Sequence, residues 1–420
     1  MKNITIKKNK SLKGEITVPG DKSISHRAII LGAIADGDSC ITGFLEGEDN
    51  LRTLNAFKLM GVEIDGPKKG EVVIHGKGIN GLKEPLDVLD AGNSGTTTRL
   101  LTGFLAGQNF FSVITGDEYL RKRPMKRVIE PLSKMGALIY GRNNNNLAPL
   151  SIIGKKLKAM DYVSPIASAQ VKSAILLAGL YADGRTSVTE PIKSRDHTER
   201  MLKAFGADIN VKGLRVDIKG EGKLNAQDID IPGDISSAAF FIVAGLIIKG
   251  SNVLIKNVGI NPTRTGIIDL LQKMGGDIQL LINKREYSGE PVADILVKSS
   301  ELHGIEINKD DIPRTIDEIP ILCIAAAFAD GETKITGGFG VKVEEMPDGM
   351  VIKGAKGKVQ GAKGKKIKVN SYGDHRIAMS MLIAGLAING ETVIEDIKCI
   401  DTSFPGFLKL LRKLEKGSRR

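Results

Sequence analysis

Residues 19–37 have the sequence PGDKSISHRAIILGAIADG, and the rest of the chain repeats their pattern. Asp21 and Ser23 are favourable N-cap residues, and the closing glycine follows the last apolar turn, so a capped helix is predicted. Lys22 and Arg27 add positive charge close to the free N–H groups at the helix start. The stretch therefore predicts a site for a phosphate or carboxylate. Taken alone, it is equally compatible with an ordinary capped helix bearing two solvated bases.

Six copies of this pattern occur along the chain. Each has a polar start rich in small residues, an apolar helix, a glycine-containing stop and the beginning of a strand. The other five starts are Gly92–Arg99, Ile166–Lys172, Pro232–Ser237, Thr315–Pro320 and Ser371–Arg376. The helices are apolar on nearly every face, which predicts that they are buried. Repetition of this kind indicates supersecondary units and an α/β fold of two domains with three units each.

Two chain crossings between the domains are predicted, near 18–20 and near 231–234. They give one lobe at 21–233 and a second lobe made of 1–20 plus 234–420. If the buried helices of each lobe run parallel, their positive ends meet in a cleft between the lobes. We expect that cleft to bind anions.

Composition narrows the class of ligand. The net charge of +11 is spread along the chain, which favours small polyanionic substrates at least as much as nucleic acid. Tryptophan is absent and aromatic residues are only 4%, which argues against base-stacking surfaces. A basic glycine-rich loop at 354–366 is more typical of a solvated hairpin than of a polyanion site.

Cysteine spacing and hydropathy indicate a cytoplasmic protein. Cys40, Cys323 and Cys399 are far apart and match neither a zinc ribbon nor a disulfide framework. Residues 1–14 lack the apolar core of a signal peptide, and the apolar run 238–248 is too short to span a bilayer.

The motifs GDKSISHR at 20–27 and AGNSGTTTR at 91–99 closely resemble those of the 5-enolpyruvylshikimate-3-phosphate (EPSP) synthase family. RKRPM at 121–125, GDHR at 373–376 and TSFP at 402–405 extend the match in the right order over nearly the whole chain. The resemblance implies two domains, each of three inverse α/β repeats, with the ligand cleft between them. This agrees with the six units predicted from the residues.

The resemblance also implies a reaction. The family transfers the enolpyruvyl group of phosphoenolpyruvate to the 5-hydroxyl of shikimate 3-phosphate and releases phosphate, with no cofactor, metal or covalent enzyme intermediate. Addition and then elimination require a base at the hydroxyl, an acid at the vinyl carbon, and fixed cations around two phosphates and two carboxylates. A cytoplasmic monomer that binds neither nucleic acid nor membrane is expected.

Matching positions give the expected site residues. Those for shikimate 3-phosphate are Lys22, Ser23, Arg27, Ser168, Ser194 (with Arg195 beside it) and Asp317. Those for phosphoenolpyruvate are Lys22, Asn93, Gly95, Arg123, Gln170 and Arg376. The resemblance makes Asp317 the proton acceptor, lets Lys22 assist proton transfer, and places Gly95 where a side chain would crowd phosphoenolpyruvate or its mimic glyphosate.

Several of these residues also have an ordinary structural interpretation. The bases could be surface charges, Ser194 and Gln170 could be plain loop or helix residues, and Asp317 could be only a helix cap. His375 is as compatible with a capping or core role as with acid–base chemistry.

The fifth unit departs from the others. Its two glycine stops, at 331 and 340, are 9 residues apart (340 − 331), against 24 in the first unit (61 − 37). The family normally carries a Lys-Glu pair and an Arg here, and the nearby Lys342 and Glu344 are not equivalents. The family's usual C-terminal lysine is also replaced, by Thr402. The alternative is therefore a catalytically impaired or binding-only version of the scaffold, shortened near 337–340.

A sister family that enolpyruvylates a nucleotide sugar would share the fold. It typically has Lys-Asn where this chain has Lys22-Ser23, together with a reactive loop cysteine. None of the three cysteines lies in such a loop, so this alternative is disfavoured.

Overall fold

A computed structural model describes residues 3–287, 289–336, 345–346, 349–354 and 366–418. The expectations for 337–340, for Lys342 and Glu344, and for nearly all of the basic loop lie outside these residues. The chain divides into two compact units. Unit 1 contains Met1–Pro19, Pro232–Glu286 and Pro291–Arg420, and unit 2 contains Gly20–Ile231 and Tyr287–Glu290. Which substrate each lobe binds remains a prediction.

The helices of the described residues vary from single turns to 13 residues. In chain order they are α1 Lys22–Ile34, α2 Glu48–Leu59, α3 Gly95–Ala106, α4 Lys126–Lys134, α5 Arg142–Asn145, α6 Ala169–Gly179, α7 His197–Ala204, α8 Ile235–Ile247, α9 Gly266–Lys273, α10 Ile312–Thr315, α11 Ile319–Phe328, α12 His375–Ala387, α13 Ile400–Ser403 and α14 Phe407–Gly417. α5 is a single turn in which Asn143 and Asn144 have left-handed dihedrals.

The strands of the described residues have between 2 and 11 residues. In chain order they are β1 Ile4–Lys7, β2 Lys13–Thr17, β3 Asp36–Thr42, β4 Glu63–Lys68, β5 Glu71–Lys77, β6 Leu89–Asp90, β7 Phe111–Thr115, β8 Leu138–Gly141, β9 Leu147–Ile153, β10 Leu157–Lys158, β11 Asp161–Val163, β12 Ala182–Asp183, β13 Arg185–Thr189, β14 Ile209–Lys212, β15 Arg215–Lys219, β16 Ile229–Asp230, β17 Asn252–Gly259, β18 Asp277–Tyr287, β19 Glu290–Lys298, β20 Glu306–Ile307, β21 Glu332–Thr336, β22 Glu345–Met346, β23 Gly349–Lys353, β24 Lys366–Asn370 and β25 Glu391–Glu395.

Unit 2 repeats one sheet design. Its four-stranded sheets have the orders β16-β3-β5-β4, β6-β7-β9-β8 and β11-β13-β15-β14. In each, a short edge strand runs parallel to a central strand, and the next two strands add as an antiparallel hairpin. The first sheet takes its edge strand from the far end of the unit, with Ile229 in register with Ile41.

Unit 1 has a related plan, in which the third sheet has only three strands among the described residues. Its sheets have the orders β18-β19-β17-β2, β20-β21-β23-β22 and β1-β25-β24. The first borrows its parallel edge strand, β2, from the start of the chain, where Ile16 is in register with Ile255. The predicted α/β class with six repeated units is therefore confirmed.

Local chemistry explains why the apolar helices begin where they do. Each of α1, α3, α6, α8 and α12 follows a residue whose side chain accepts a backbone N–H of its first turn; these caps are Asp21, Ser94, Ser168, Asp234 and Asp374. Apart from their first turns these helices are largely buried, with α1, α3 and α6 in one hydrophobic core and α8, α11 and α12 in another. No helix of the described residues is long and apolar enough to cross a membrane.

Two features of the fifth repeat stand out. α11 has no side-chain cap, and its first turn begins with Ile319-Pro320, so the helix starts after Asp317 and Glu318. The interpretation of Asp317 as the helix cap is wrong. Only 8 residues separate β21 from β22 (345 − 336 − 1), against 20 between β3 and β4 (63 − 42 − 1).

Candidate active site

The eleven predicted site residues divide between the units. Asp317 and Arg376 belong to unit 1, and the other nine belong to unit 2.

At the start of α1, Lys22 and Arg27 are held by different partners. The Lys22 ammonium forms an ion pair with Asp49, at the start of α2, and its side chain stays about a quarter exposed. The Arg27 guanidinium donates to the backbone carbonyl of Ser23 at 2.8 Å, to Ser173 Oγ at 2.9 Å and to Thr198 Oγ1 at 2.6 Å. Lys22, Ser23 and Arg27 therefore lie within the first two turns of α1.

Burial governs protonation at this helix start. It lowers the pKa of Arg27 to about 10, against the opposing charges of Glu199 and Asp21, so the guanidinium is still positive at pH 7. Burial also lowers the pKa of His26 to about 3, which leaves a neutral imidazole. His26 Nδ1 lies 2.7 Å from Thr53 Oγ1, which lies 2.8 Å from Thr97 Oγ1. These contacts join the beginnings of α1 and α3 through α2.

At the start of α3, Gly95 lies against two arginines. A Cβ atom at this position would be 2.8 Å from Arg99 Nη1 and 3.1 Å from Arg123 Nη1. Arg123 also donates to Asn93 Oδ1, and Asn93 Nδ2 donates to Asp117 at 2.8 Å. The structure therefore brings together the predicted residues Asn93, Gly95 and Arg123, and adds Arg99 to them.

Gln170 connects the starts of α3 and α6. Its Oε1 accepts from Arg99 Nη1 at 2.6 Å, and its Nε2 donates to Thr96 Oγ1 at 3.2 Å. Burial lowers the pKa of Arg99 to about 10, with a further contribution from the charges of Arg127 and Arg123. Arg99 is thus still a cation at neutral pH, although only 7% exposed.

Ser168 and Ser194 meet at one carboxylate. Ser168 caps α6, and its backbone N–H donates to Glu190 Oε1 at 3.1 Å. The Ser194 hydroxyl lies 2.7 Å and 2.9 Å from the two oxygens of Glu190. Lys172 forms an ion pair with Glu190 at 2.8 Å. A carboxylate and its counter-ion thus lie beside the two serines expected to hold a phosphate.

In unit 1, Asp317 and Arg376 form an ion pair. Arg376 Nη2 lies 2.8 Å from Asp317 Oδ1, and both side chains are partly exposed. The charge of Asp317 raises the pKa of Arg376, and burial opposes the shift. The carboxylate expected to accept a proton thus lies beside an arginine cation. His375 is the first residue of α12, and Asp374, not His375, provides the side-chain cap.

A buried polar group lies at the start of α8. Arg264 Nη2 donates to Ser236 Oγ at 2.6 Å and lies 3.6 Å from Glu318 Oε1, while Ser236 Oγ donates to Glu318. This group and the Asp317–Arg376 pair join the starts of α8, α11 and α12. In each unit, therefore, the three apolar helices begin at one place.

Sequence reasoning missed Arg99, Lys172, Glu190, Arg264 and Glu318. A signal existed for Arg99 and Lys172, because a lone cation in an apolar helix needs a polar or acidic partner. Within the described residues, no group of three or more His, Cys, Asp or Glu side chains is arranged to hold a metal ion.

Comparison with known proteins gives one consistent family. The sequence model of "EPSP synthase (3-phosphoshikimate 1-carboxyvinyltransferase)" matches residues 6–339 and 338–411. The chain is 57% identical to the 3-phosphoshikimate 1-carboxyvinyltransferase of Geotalea uraniireducens and 56% identical to that of Geobacter metallireducens, and each alignment covers 99% of both proteins. A solved EPSP synthase from Acinetobacter baumannii is 48% identical, with a TM-score of 0.87 over 99% of this chain and 98% of that chain.

The shortened fifth repeat is also visible in these comparisons. The two parts of the family match meet at 338–339, within the fifth repeat. Even so, the relatives over their full length are named as this enzyme. The alternative of an impaired or binding-only scaffold is not supported.

Proposed function

The chain belongs to the EPSP synthase family, and from that premise we propose which of its residues carry out the reaction. The reaction transfers the enolpyruvyl group of phosphoenolpyruvate to the 5-hydroxyl of shikimate 3-phosphate, giving 5-enolpyruvylshikimate 3-phosphate and phosphate. The assignment of roles is supported mainly by one observation: within each unit, cations and polar groups cluster at the starts of the apolar helices.

Shikimate 3-phosphate is bound by the residues on α1 and around α6. Ser168 and Ser194, which Glu190 brings together, hold its phosphate, and Ser23 and Arg27 contact the substrate from the first two turns of α1. The buried Arg27 supplies a full positive charge in a region of low dielectric, where its attraction to a phosphate is stronger than in water.

Phosphoenolpyruvate is bound by Lys22, Asn93, Gly95, Arg123, Gln170 and Arg376. Arg123 is set by Asn93, and Gln170 by Arg99 and Thr96. Gly95 contributes by its lack of a side chain, because a Cβ there would meet two guanidinium groups. Planar guanidinium groups suit the phosphate and carboxylate of this substrate.

Two groups move the protons. Asp317 accepts the proton of the 5-hydroxyl while the hydroxyl oxygen bonds to C2 of phosphoenolpyruvate. Lys22 delivers a proton to C3. The tetrahedral adduct then returns a proton from C3 to the neutral Lys22 amine and releases phosphate from C2, which restores the double bond. The leaving phosphate takes the proton held by Asp317, so both groups regain their starting charge. A positioned acid or base contributes about 10²- to 10⁴-fold to such a reaction.

We also propose that the enzyme is a monomer in the cytoplasm. Every residue assigned above comes from one chain, and the three cysteines are free thiols, as a reducing compartment would keep them. We assign it no nucleic-acid, membrane, metal or cofactor partner. Light scattering at micromolar concentration should give the mass of one chain, 45.1 kDa, and a mass of twice that value would contradict the monomer.

A split between the two Michaelis constants tests the assignment. Arg123→Gln should raise the KM for phosphoenolpyruvate and leave that for shikimate 3-phosphate nearly unchanged. Ser194→Ala should do the reverse. The assignment is wrong if Arg123→Gln weakens shikimate 3-phosphate instead.

A further inference from the structure

A buried charge cluster lies beneath the proposed phosphate site of unit 2. Lys172 Nζ lies 2.8 Å from Glu190 Oε2 and 2.7 Å from Glu199 Oε1, and the three side chains are only 2–4% exposed. Burial opposes the charge on Lys172, but Glu199 and Glu190 outweigh it, so the pKa of the lysine is raised. The cluster thus holds one cation between two carboxyl groups.

Glu190 connects this cluster to the proposed phosphate ligands. One carboxylate accepts the backbone N–H of Ser168, at the start of α6, and the hydroxyl of Ser194, in the loop before α7. The backbone N–H of Ser194 also donates to it, at 3.3 Å. Glu190 therefore sets the spacing of two residues that are distant in sequence.

Glu199 and Lys172 also adjoin the partners of Arg27. Thr198 and Ser173 are their immediate neighbours in sequence, and both hydroxyls accept from the Arg27 guanidinium. The two hydroxyls lie 2.6 Å apart. The cluster is thus part of the packing that holds Arg27, Ser168 and Ser194 in fixed positions.

The electrostatics are unusual for a phosphate site. A carboxylate close to a dianionic phosphate repels it unless a cation cancels its charge. A buried ion pair is also seldom needed for stability, since apolar residues of similar volume often replace it without loss. We therefore expect the charges of Lys172 and Glu190 to have a role besides stabilising the core.

We propose that Lys172 and Glu190 are positioning residues for the phosphate of shikimate 3-phosphate. Glu190 holds Ser168 and Ser194 at the spacing that the phosphate needs, and Lys172 cancels the charge of Glu190 so that the phosphate can approach. Neither touches the substrate. The inference rests on the proposed function, in which these serines bind the phosphate.

The test compares shikimate 3-phosphate with shikimate, which lacks the phosphate. Calorimetry gives both affinities for the full chain, and it suits a protein without tryptophan. Lys172→Met should lower the preference for the phosphorylated ligand by about tenfold, because an uncancelled carboxylate then faces the phosphate. The affinity for shikimate should stay within about twofold of wild type. Arg215→Met, which removes a partly exposed, ion-paired cation from strand β15, is the control and should change neither affinity.

Two further variants separate positioning from general stability. Lys172→Met combined with Glu190→Gln removes the cation together with the charge it cancels, and should recover part of the lost preference. Glu199→Gln keeps the side-chain shape and leaves Glu190 as the sole carboxylate of the cluster that pairs with Lys172. The preference for the phosphorylated ligand should therefore rise. This second variant keeps the proposal testable if Lys172→Met does not fold.

The outcomes are distinguishable. A wild-type protein with equal affinity for the two ligands would overturn the proposed phosphate site and this inference with it. A wild-type preference that Lys172→Met leaves intact would overturn this inference alone, as would an equal loss of both affinities. An unchanged or lower preference in Glu199→Gln would also contradict it.

Discussion

Alanine at Gly95 should separate substrate use from stability. The added Cβ would lie 2.8 Å from Arg99 Nη1 and 3.1 Å from Arg123 Nη1, where ordinary contact begins near 3.4 Å. The two guanidinium groups must therefore retreat by about 0.6 Å (3.4 − 2.8) and about 0.3 Å (3.4 − 3.1). Both are the ends of flexible side chains, so the fold can accommodate the change.

The variant should use phosphoenolpyruvate less efficiently. A misplaced hydrogen bond to a charged group costs about 1.5–3 kcal/mol. Since about 1.4 kcal/mol corresponds to a factor of ten, kcat/KM for phosphoenolpyruvate should fall by about 10- to 100-fold. The KM for shikimate 3-phosphate should stay nearly constant. Inhibition by glyphosate should weaken as well, since glyphosate mimics the same substrate.

Stability should respond in the opposite direction. Gly95 is the first residue of α3 and does not have a positive φ. Alanine is favoured over glycine within a helix by up to about 1 kcal/mol, so the melting temperature should hold or rise slightly. Steady-state kinetics in both substrates and a thermal melt of the same preparation measure the two effects.

Gly222→Ala is the matched control. A Cβ there meets no atom within 4 Å, and its φ is not positive. This variant should retain wild-type kinetics. The reasoning would be refuted if Gly95→Ala kept a wild-type KM for phosphoenolpyruvate, or if it lowered the melting temperature and the use of both substrates together.

Three other predictions follow from the structure. Asp317→Asn should lower kcat by about 10²- to 10⁴-fold in steady-state kinetics, and a wild-type kcat would rule out Asp317 as the base. Below pH 6.5 His26 is protonated in the unfolded state, but in the folded state it stays neutral down to about pH 3, so the free energy of unfolding should fall by about 1.4 kcal/mol for each pH unit between these values. His26→Gln should remove this part of the pH dependence, as measured by urea unfolding at several pH values. An unchanged pH dependence would contradict the assignment. With a thiol reagent at pH 8, the exposed Cys40 should react well before Cys323, which is only partly exposed and whose pKa burial raises to about 11. Reaction of Cys323 as fast as that of Cys40 in the native protein would contradict this order.

The repeated helices could be predicted from sequence because their signals are local. Five of the six apolar helices begin at a capping side chain that the sequence displays, and a glycine follows several of their ends. The sixth start was misjudged at Asp317, because Pro320 in the first turn of α11 favours a later start.

The site was harder to predict because its contacts are distant in sequence. Asp317 and Arg376 are 59 residues apart in the sequence, and Arg99 and Gln170 are 71 residues apart. No local sequence pattern therefore predicts either pair. Resemblance to the family supplied the individual residues but not their partners. The lone lysine of α6 was a usable signal, although only the fold shows that Glu190 and Glu199 neutralise it.

Phosphate release is the most direct measurement of the central claim that this chain catalyses enolpyruvyl transfer. Purified protein is mixed with shikimate 3-phosphate and phosphoenolpyruvate, and free phosphate is followed over time, with each substrate omitted in turn. We predict many turnovers per enzyme molecule with both substrates present and none with either omitted. Calorimetric binding of shikimate 3-phosphate without any release of phosphate would contradict the claim.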